Sequence, residues 1–158
     1  MEKQLAQVTK IRNFRQFLLQ QVAGLSATQL NHVPPGYANN VIWHLAHLTS
    51  AVQLLCYGRS GLAFTVPEQY VAPFQPGTRP ERPLDETEIA AIKAMFLSSI
   101  DQLSADVAHG IFTTYSPSER IADVYGVEVA SLADALDFVL FHEGYHVGYV
   151  VALKHLVA

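Results

Sequence analysis

The segment from Ser131 to Leu156 contains no proline and keeps a helical pattern of apolar residues throughout. Ser131 stands three positions before the acidic residue Asp134, a spacing that resembles an N-terminal capping box. We therefore predict one long helix from Ser131 to about Leu156. Such a helix must bury its apolar residues against partners that the rest of the chain supplies.

Three other segments show the apolar spacing of amphipathic helices. Asn39 or Asn40 can cap the second of these helices. Asp85, three residues before Glu88, can open a capping box for the third. A turn is expected between the first and second helices. The predicted bounds are Lys3 to Val22, Asn39 or Asn40 to the Tyr57–Gly61 region, and Asp85 to the His109–Gly110 region.

Four amphipathic helices can bury their apolar faces together as a four-helix bundle. We therefore predict an all-α fold with one domain over residues 1–158. The β-branched and aromatic residues within Ile111–Val129 also allow a small hairpin between the third and fourth helices. The stretch from Val66 to Pro83 carries five of the eight prolines and is predicted to be a long loop.

Charge and hydropathy exclude several classes of protein. The net charge is −4, without a basic run, so nucleic acid is not an expected partner. No stretch approaches the roughly 18 consecutive apolar residues of a membrane span, and Met1–Lys10 lacks the apolar core of a signal peptide. The single cysteine, Cys56, cannot form an internal disulfide. These features predict a cytoplasmic protein that does not bind membranes.

The last predicted helix contains the H-E-x-x-H pattern of zinc peptidases, at His142, Glu143 and His146. Histidines four residues apart share one helix face and can bind one cation. The extended form of the motif fails, because Tyr149 and Ala152 stand where its glycine and third histidine belong. No acidic residue follows His146 to act as a downstream ligand. We therefore predict a metal site but not a peptidase.

A third ligand must then come from upstream, where the sequence WHLAH offers His44 and His47. Helical periodicity places His44 near the centre of the apolar stripe and His47 at its edge. The pattern alone slightly favours His44 as the third ligand but leaves both as candidates. Three protein ligands with an open coordination position suit a catalytic metal. Glu143 is either a general base or a carboxylate that is solvated or supports the site.

The segments LSATQLNHVPPG, NNVIWHLAHL and HEGYHVGY resemble the DinB-like superfamily of metal-binding four-helix bundles over almost the whole chain. The resemblance implies that His47, His142 and His146 are the metal ligands. His44 is then expected to pack in the core or to support the site. The family often has glutamine where this chain has Tyr149, so no role for that amide is carried over.

The resemblance also implies a class of chemistry and of partners. Family members use zinc, nickel or iron, often form homodimers, and include enzymes that transfer or isomerise groups with a low-molecular-weight thiol. We therefore expect a divalent metal, a small-molecule substrate with such a thiol, and a homodimer. The alternatives are a non-catalytic, stress-related metal-binding bundle and a small metal-dependent hydrolase.

Overall fold

The computed structural model describes residues 1–157, which form helices without any β-strand. The predicted all-α fold is therefore confirmed. No helix among the described residues combines the length and the apolar character needed to cross a membrane. In chain order, the α-helices are α1 Glu2–Val22, α2 Ala27–Asn31, α3 Val41–Val52, α4 Glu86–His109, α5 Glu119–Tyr125 and α6 Leu132–Val157.

The four long helices pack as a bundle in which α1 and α3 lie diagonally opposite each other. Each of these two helices packs against both α4 and α6. Helix α3 is buried along its whole length, from Val41 to Val52. Apolar residues from all four helices, including Leu18, Leu48, Phe96 and Leu153, fill the core around it. Side chains on α3 therefore reach α6 in the interior of the protein.

Helix α3 does not end regularly but continues into a π-helical turn at Gln53–Tyr57 and a 3₁₀ turn at Gly58–Ser60. The Val66–Pro83 stretch follows as the predicted long connection, with two short 3₁₀ turns, of which the second is Ala72–Phe74. The side chain of Phe74 packs onto the core beside α3. The proline-rich loop is thus held against one of the central helices.

Two sequence predictions need correction. The expected turn between the first two long helices contains α2, because Ser26 and Gln29 form a full capping box there. The hairpin predicted within Ile111–Val129 is wrong. Backbone groups of this segment bond to other partners, such as Ser116 N–H to the Arg59 carbonyl, and the VYG sequence completes α5.

Asn40 rather than Asn39 caps α3. Its Oδ1 accepts from the Trp43 N–H at 2.9 Å, and its Nδ2 donates to the Asn31 carbonyl at 2.9 Å. The Oδ1 of Asn39, by contrast, has no hydrogen-bond partner in residues 1–157. The cap therefore fixes both the start of α3 and its connection to α2.

We predict that Asn40→Ala lowers the free energy of unfolding by about 1–2 kcal/mol, because one cap is lost and a carbonyl loses its donor. Urea unfolding of the metal-free protein measures this change. Asn39→Ala is the matched control and should change the unfolding free energy little. Equal losses in the two variants would contradict the assignment of the cap.

Candidate metal site

The fold brings three of the predicted site residues together in the bundle interior. His47 lies on α3, and His142 and His146 lie one turn apart on α6. The Nε2 atom of His142 is 3.3 Å from that of His47 and 3.1 Å from that of His146. Candidate ligand atoms of all three residues lie within 4.8 Å of one another. This cluster could hold a metal ion.

The distances from His142 Nε2 to the other two ring nitrogens fit a tetrahedral cation. Zinc–imidazole bonds are about 2.0–2.1 Å long, so two nitrogens on one tetrahedral centre are about 3.3 Å apart. The observed distances of 3.3 and 3.1 Å are close to that value. Three ring nitrogens that face one another also cannot all be satisfied by mutual hydrogen bonds, whereas one cation accepts a lone pair from each.

His47 is oriented by groups on two sides. Its Nδ1 lies 2.7 Å from the carbonyl oxygen of Phe74 and donates to it, which leaves the Nε2 lone pair facing α6. The indole of Trp43 stacks on the imidazole with ring centroids 4.6 Å apart. Trp43 in turn donates from Nε1 to Thr78 Oγ1 at 3.2 Å. The proline-rich loop therefore sets the direction of this candidate ligand.

His44 lies behind His146 instead of in the three-nitrogen cluster. The two Nδ1 atoms are 2.9 Å apart, which is a hydrogen-bond distance. If His146 offers its Nε2 lone pair to a metal, its Nδ1–H must donate to His44, and His44 then carries its proton on Nε2. His44 is therefore placed to hydrogen-bond His146, and its supporting role stays a prediction.

Burial keeps the imidazoles of this region neutral at physiological pH. Desolvation lowers the pKa of His44 and His142 to about 3 and that of His146 to about 2. It also lowers the pKa of His47, although the hydrogen bond to Phe74 opposes the shift. Because a metal binds only the neutral ring, these shifts reduce the competition between protons and a cation.

Glu143 lies outside this cluster despite its place in the H-E-x-x-H sequence. Its carboxylate is fully buried and pairs with Arg15 of α1 at 2.8 Å. Burial raises the pKa of Glu143, and Arg15 opposes that shift. The carboxylate is therefore not solvated, and it is not among the residues that line the cavity next to the histidines. A general-base role for Glu143 does not fit this geometry.

A cavity of about 660 Å³ opens onto the three histidines. Its wall contains apolar side chains from the π-helical turn after α3, from α5 and from α6, such as Leu54, Ile121 and Phe138. Tyr145 also contributes to the wall, while Tyr149 packs against His44 with ring centroids 4.7 Å apart. A cavity of this size and composition is typical of a small-molecule site.

Sequence reasoning missed the partners of the histidines. Phe74 contributes a backbone carbonyl, which carries no side-chain signature in a sequence. Arg15 interrupts the apolar stripe of α1, between Ile11 and Leu18, and a charged residue at a core position was the available signal for a buried ion pair. The pair joins α1 to α6 one residue away from His142.

Comparison with known proteins adds a family assignment. A family model described as the DinB superfamily matches residues 11–150, a range that contains all four histidines of this region. No curated protein matches the chain significantly.

We predict that metal content falls sharply in His47→Ala, His142→Ala and His146→Ala, since each variant removes one of three ligands. His44→Ala should bind the metal about 10–100-fold more weakly, as is typical when a supporting hydrogen bond is lost. Elemental analysis and chelator competition after reconstitution with zinc or nickel measure these effects.

The control for this ligand assignment is His155→Ala, which removes an exposed histidine of the same helix and should leave binding unchanged. If His44→Ala abolishes binding while His47→Ala leaves it intact, the assignment of His47 is wrong. Absence of metal binding by the reconstituted wild type would contradict the site itself.

For the ion pair, we predict that Arg15→Met lowers the free energy of unfolding by about 3–5 kcal/mol, because Glu143 is left as an unpaired buried charge. The double variant Arg15→Met/Glu143→Leu should recover much of this loss. Urea unfolding measures both values. Arg12→Met is the control: Arg12 lies on α1 like Arg15, and its loss breaks only an exposed pair with Asp101 of α4, so it should have little effect.

Proposed function

Because the chain belongs to the DinB superfamily and three of its histidines converge beside a cavity, we propose that it is a metal-dependent enzyme of the thiol S-transferase type. The observation that carries the proposal is the cluster of three Nε2 atoms at the wall of this cavity. Three protein ligands leave a coordination position for a substrate, whereas structural zinc sites use four.

The residues present supply the binding and positioning that such an enzyme needs. His47, His142 and His146 would hold the metal, and the Phe74 carbonyl and His44 would fix two of the rings. A divalent cation bound there lowers the pKa of a thiol and holds the resulting nucleophile. The apolar side chains in the cavity wall would reduce the water around the sulfur, which favours transfer over competing hydrolysis.

Zinc and nickel are the metals that we propose first, with iron as a third candidate. All three accept imidazole ligands, and the short distances between the ring nitrogens suit a small four-coordinate centre. The metal that the protein carries after expression under defined conditions would rank these candidates.

The alternatives fit less well. A small metal-dependent hydrolase that uses Glu143 as its general base does not fit, because the carboxylate of Glu143 is paired with Arg15. A purely structural or stress-related metal-binding bundle does not require a cavity of about 660 Å³ at the histidines. Transfer of a thiol therefore remains the function that the geometry supports best.

A cytoplasmic location is also proposed. It is supported by Cys56, the single cysteine, which is buried as a free thiol and whose pKa burial raises to about 12. A small-molecule substrate is proposed as the main partner, without nucleic acid or membrane. Fractionation of the source cells would test the location, and recovery with membranes would contradict it.

We predict a homodimer. Aromatic side chains are exposed on neighbouring parts of α5 and α6, where Tyr125 is 54%, Phe141 58% and Tyr145 59% accessible. An exposed apolar patch of this kind is typical of a surface that a second copy covers. Analytical ultracentrifugation at micromolar concentration should show the dimer, and Phe141→Glu should weaken it. A wild-type monomer throughout that range would contradict the prediction.

The thiol function predicts turnover when metal-loaded protein receives glutathione or N-acetylcysteine and 1-chloro-2,4-dinitrobenzene. The sulfur–carbon bond forms, the carbon–chlorine bond breaks, and chloride and a proton are released. The absorbance of the thioether reports the rate. We expect a rate that depends on the metal, is lost in His142→Ala and persists in His155→Ala. If the rate with a range of thiols and electrophiles never exceeds that of the metal-free protein, the proposed function fails.

A further inference from the structure

The cavity beside the three histidines has an unusual balance of charge for an acidic protein. The chain carries 14 acidic and 10 basic residues, yet the charged residues that line the cavity are Arg59 and Arg120, with no aspartate or glutamate. Three neutral imidazoles do not offset the charge of a divalent cation. The nearby carboxylate of Glu143 is already paired with Arg15.

The two arginines differ in how they are held. Arg59 is half-buried in the 3₁₀ turn Gly58–Ser60. Its Nη1 donates to the Pro117 carbonyl at 2.9 Å, and its own carbonyl accepts from Ser116 N–H at 2.7 Å. Arg120 is an exposed residue of α5. Within the described part of the chain, neither guanidinium has a carboxylate oxygen within 4.0 Å. Both therefore keep N–H groups that can bind an anion.

The surroundings increase the effect of these charges. Much of the cavity wall is apolar, and interactions between charges are stronger where water is displaced by such side chains. A neutral ligand would leave the cavity with an uncompensated positive charge. An anionic ligand could bind the cation through one group and the two arginines through a second, negatively charged group.

We propose that the small molecule bound at this metal carries a second, anionic group, of which carboxylate is the simplest example, and that Arg59 and Arg120 bind it. The inference rests on one part of the proposed function, the binding of a metal by the three histidines. It does not require that the substrate be a thiol. Planar guanidinium groups bind carboxylates through paired hydrogen bonds, so an acid should bind better than the amide of the same shape.

Two matched pairs of ligands test the inference on the cobalt-loaded protein. The first pair is N-acetylcysteine and N-acetylcysteine amide. The second pair is succinic monohydroxamate and its terminal amide. Both members bind metals through the hydroxamate group and contain no thiol. Isothermal titration calorimetry measures affinity, and the visible spectrum of cobalt reports whether each ligand reaches the metal. We expect the acid of each pair to bind about tenfold more tightly than its amide, the factor expected for a charge-assisted hydrogen bond.

Variants assign this preference to the arginines. Arg59→Gln/Arg120→Gln should reduce the ratio of affinities to about one, and Arg120→Gln alone should reduce it without disturbing the fold, since its side chain is exposed. Arg79→Gln is the matched control, because Arg79 is exposed and lines a separate cavity of about 380 Å³. This control should keep the tenfold preference.

The outcomes separate this inference from the proposed function. Equal affinity of wild type for acid and amide, or a preference that survives in the double variant, would overturn the role of the arginines. If the hydroxamates show the preference while neither thiol binds cobalt, the anion site stands and the thiol function fails. Binding of none of the four ligands would overturn both.

Discussion

The ion pair between Arg15 and Glu143 is the constraint on which the arrangement of the bundle depends. Arg15 also donates to the carbonyls of Leu48 and Phe96, so one fully buried side chain connects α1 to α3, α4 and α6. Leu48 follows His47 directly, and Glu143 follows His142. A shift of α3 or α6 that moved either histidine would therefore break a bond to a buried charge, which costs several kcal/mol.

This constraint also explains why the H-E-x-x-H sequence does not have its usual meaning here. Adjacent residues on an α-helix point about 100° apart, so a carboxylate next to a ligand need not face the same cation. In this bundle the direction of Glu143 is occupied by α1, with Arg15 as its partner, while the direction of His142 and His146 is that of α3. In this packing the glutamate of the motif pairs with α1, while its two histidines face α3.

Periodicity and capping signals were sufficient to predict the four long helices and the pair of histidines on α6, because both depend on local spacing. They could not choose between His44 and His47. The reason is that every residue of Val41–Val52 is buried, so a position at the centre or at the edge of the apolar stripe does not tell which histidine faces α6. The resemblance to a family indicated His47. The missed α2 had a local signal, the capping box of Ser26 and Gln29, that was not used. The wrong hairpin reflects tertiary bonds, such as Ser116 N–H to the Arg59 carbonyl, that a sequence does not show.

The bond between His47 and the Phe74 carbonyl has a consequence for how this protein can change by mutation. The acceptor belongs to the main chain, so a substitution of the Phe74 side chain leaves it in place. An insertion or deletion between α3 and α4 would move it. The length and path of the proline-rich loop are therefore more restricted than its amino-acid composition. Substitutions of loop side chains can change the rim of the cavity and still leave the hydrogen bond that keeps the His47 imidazole basic.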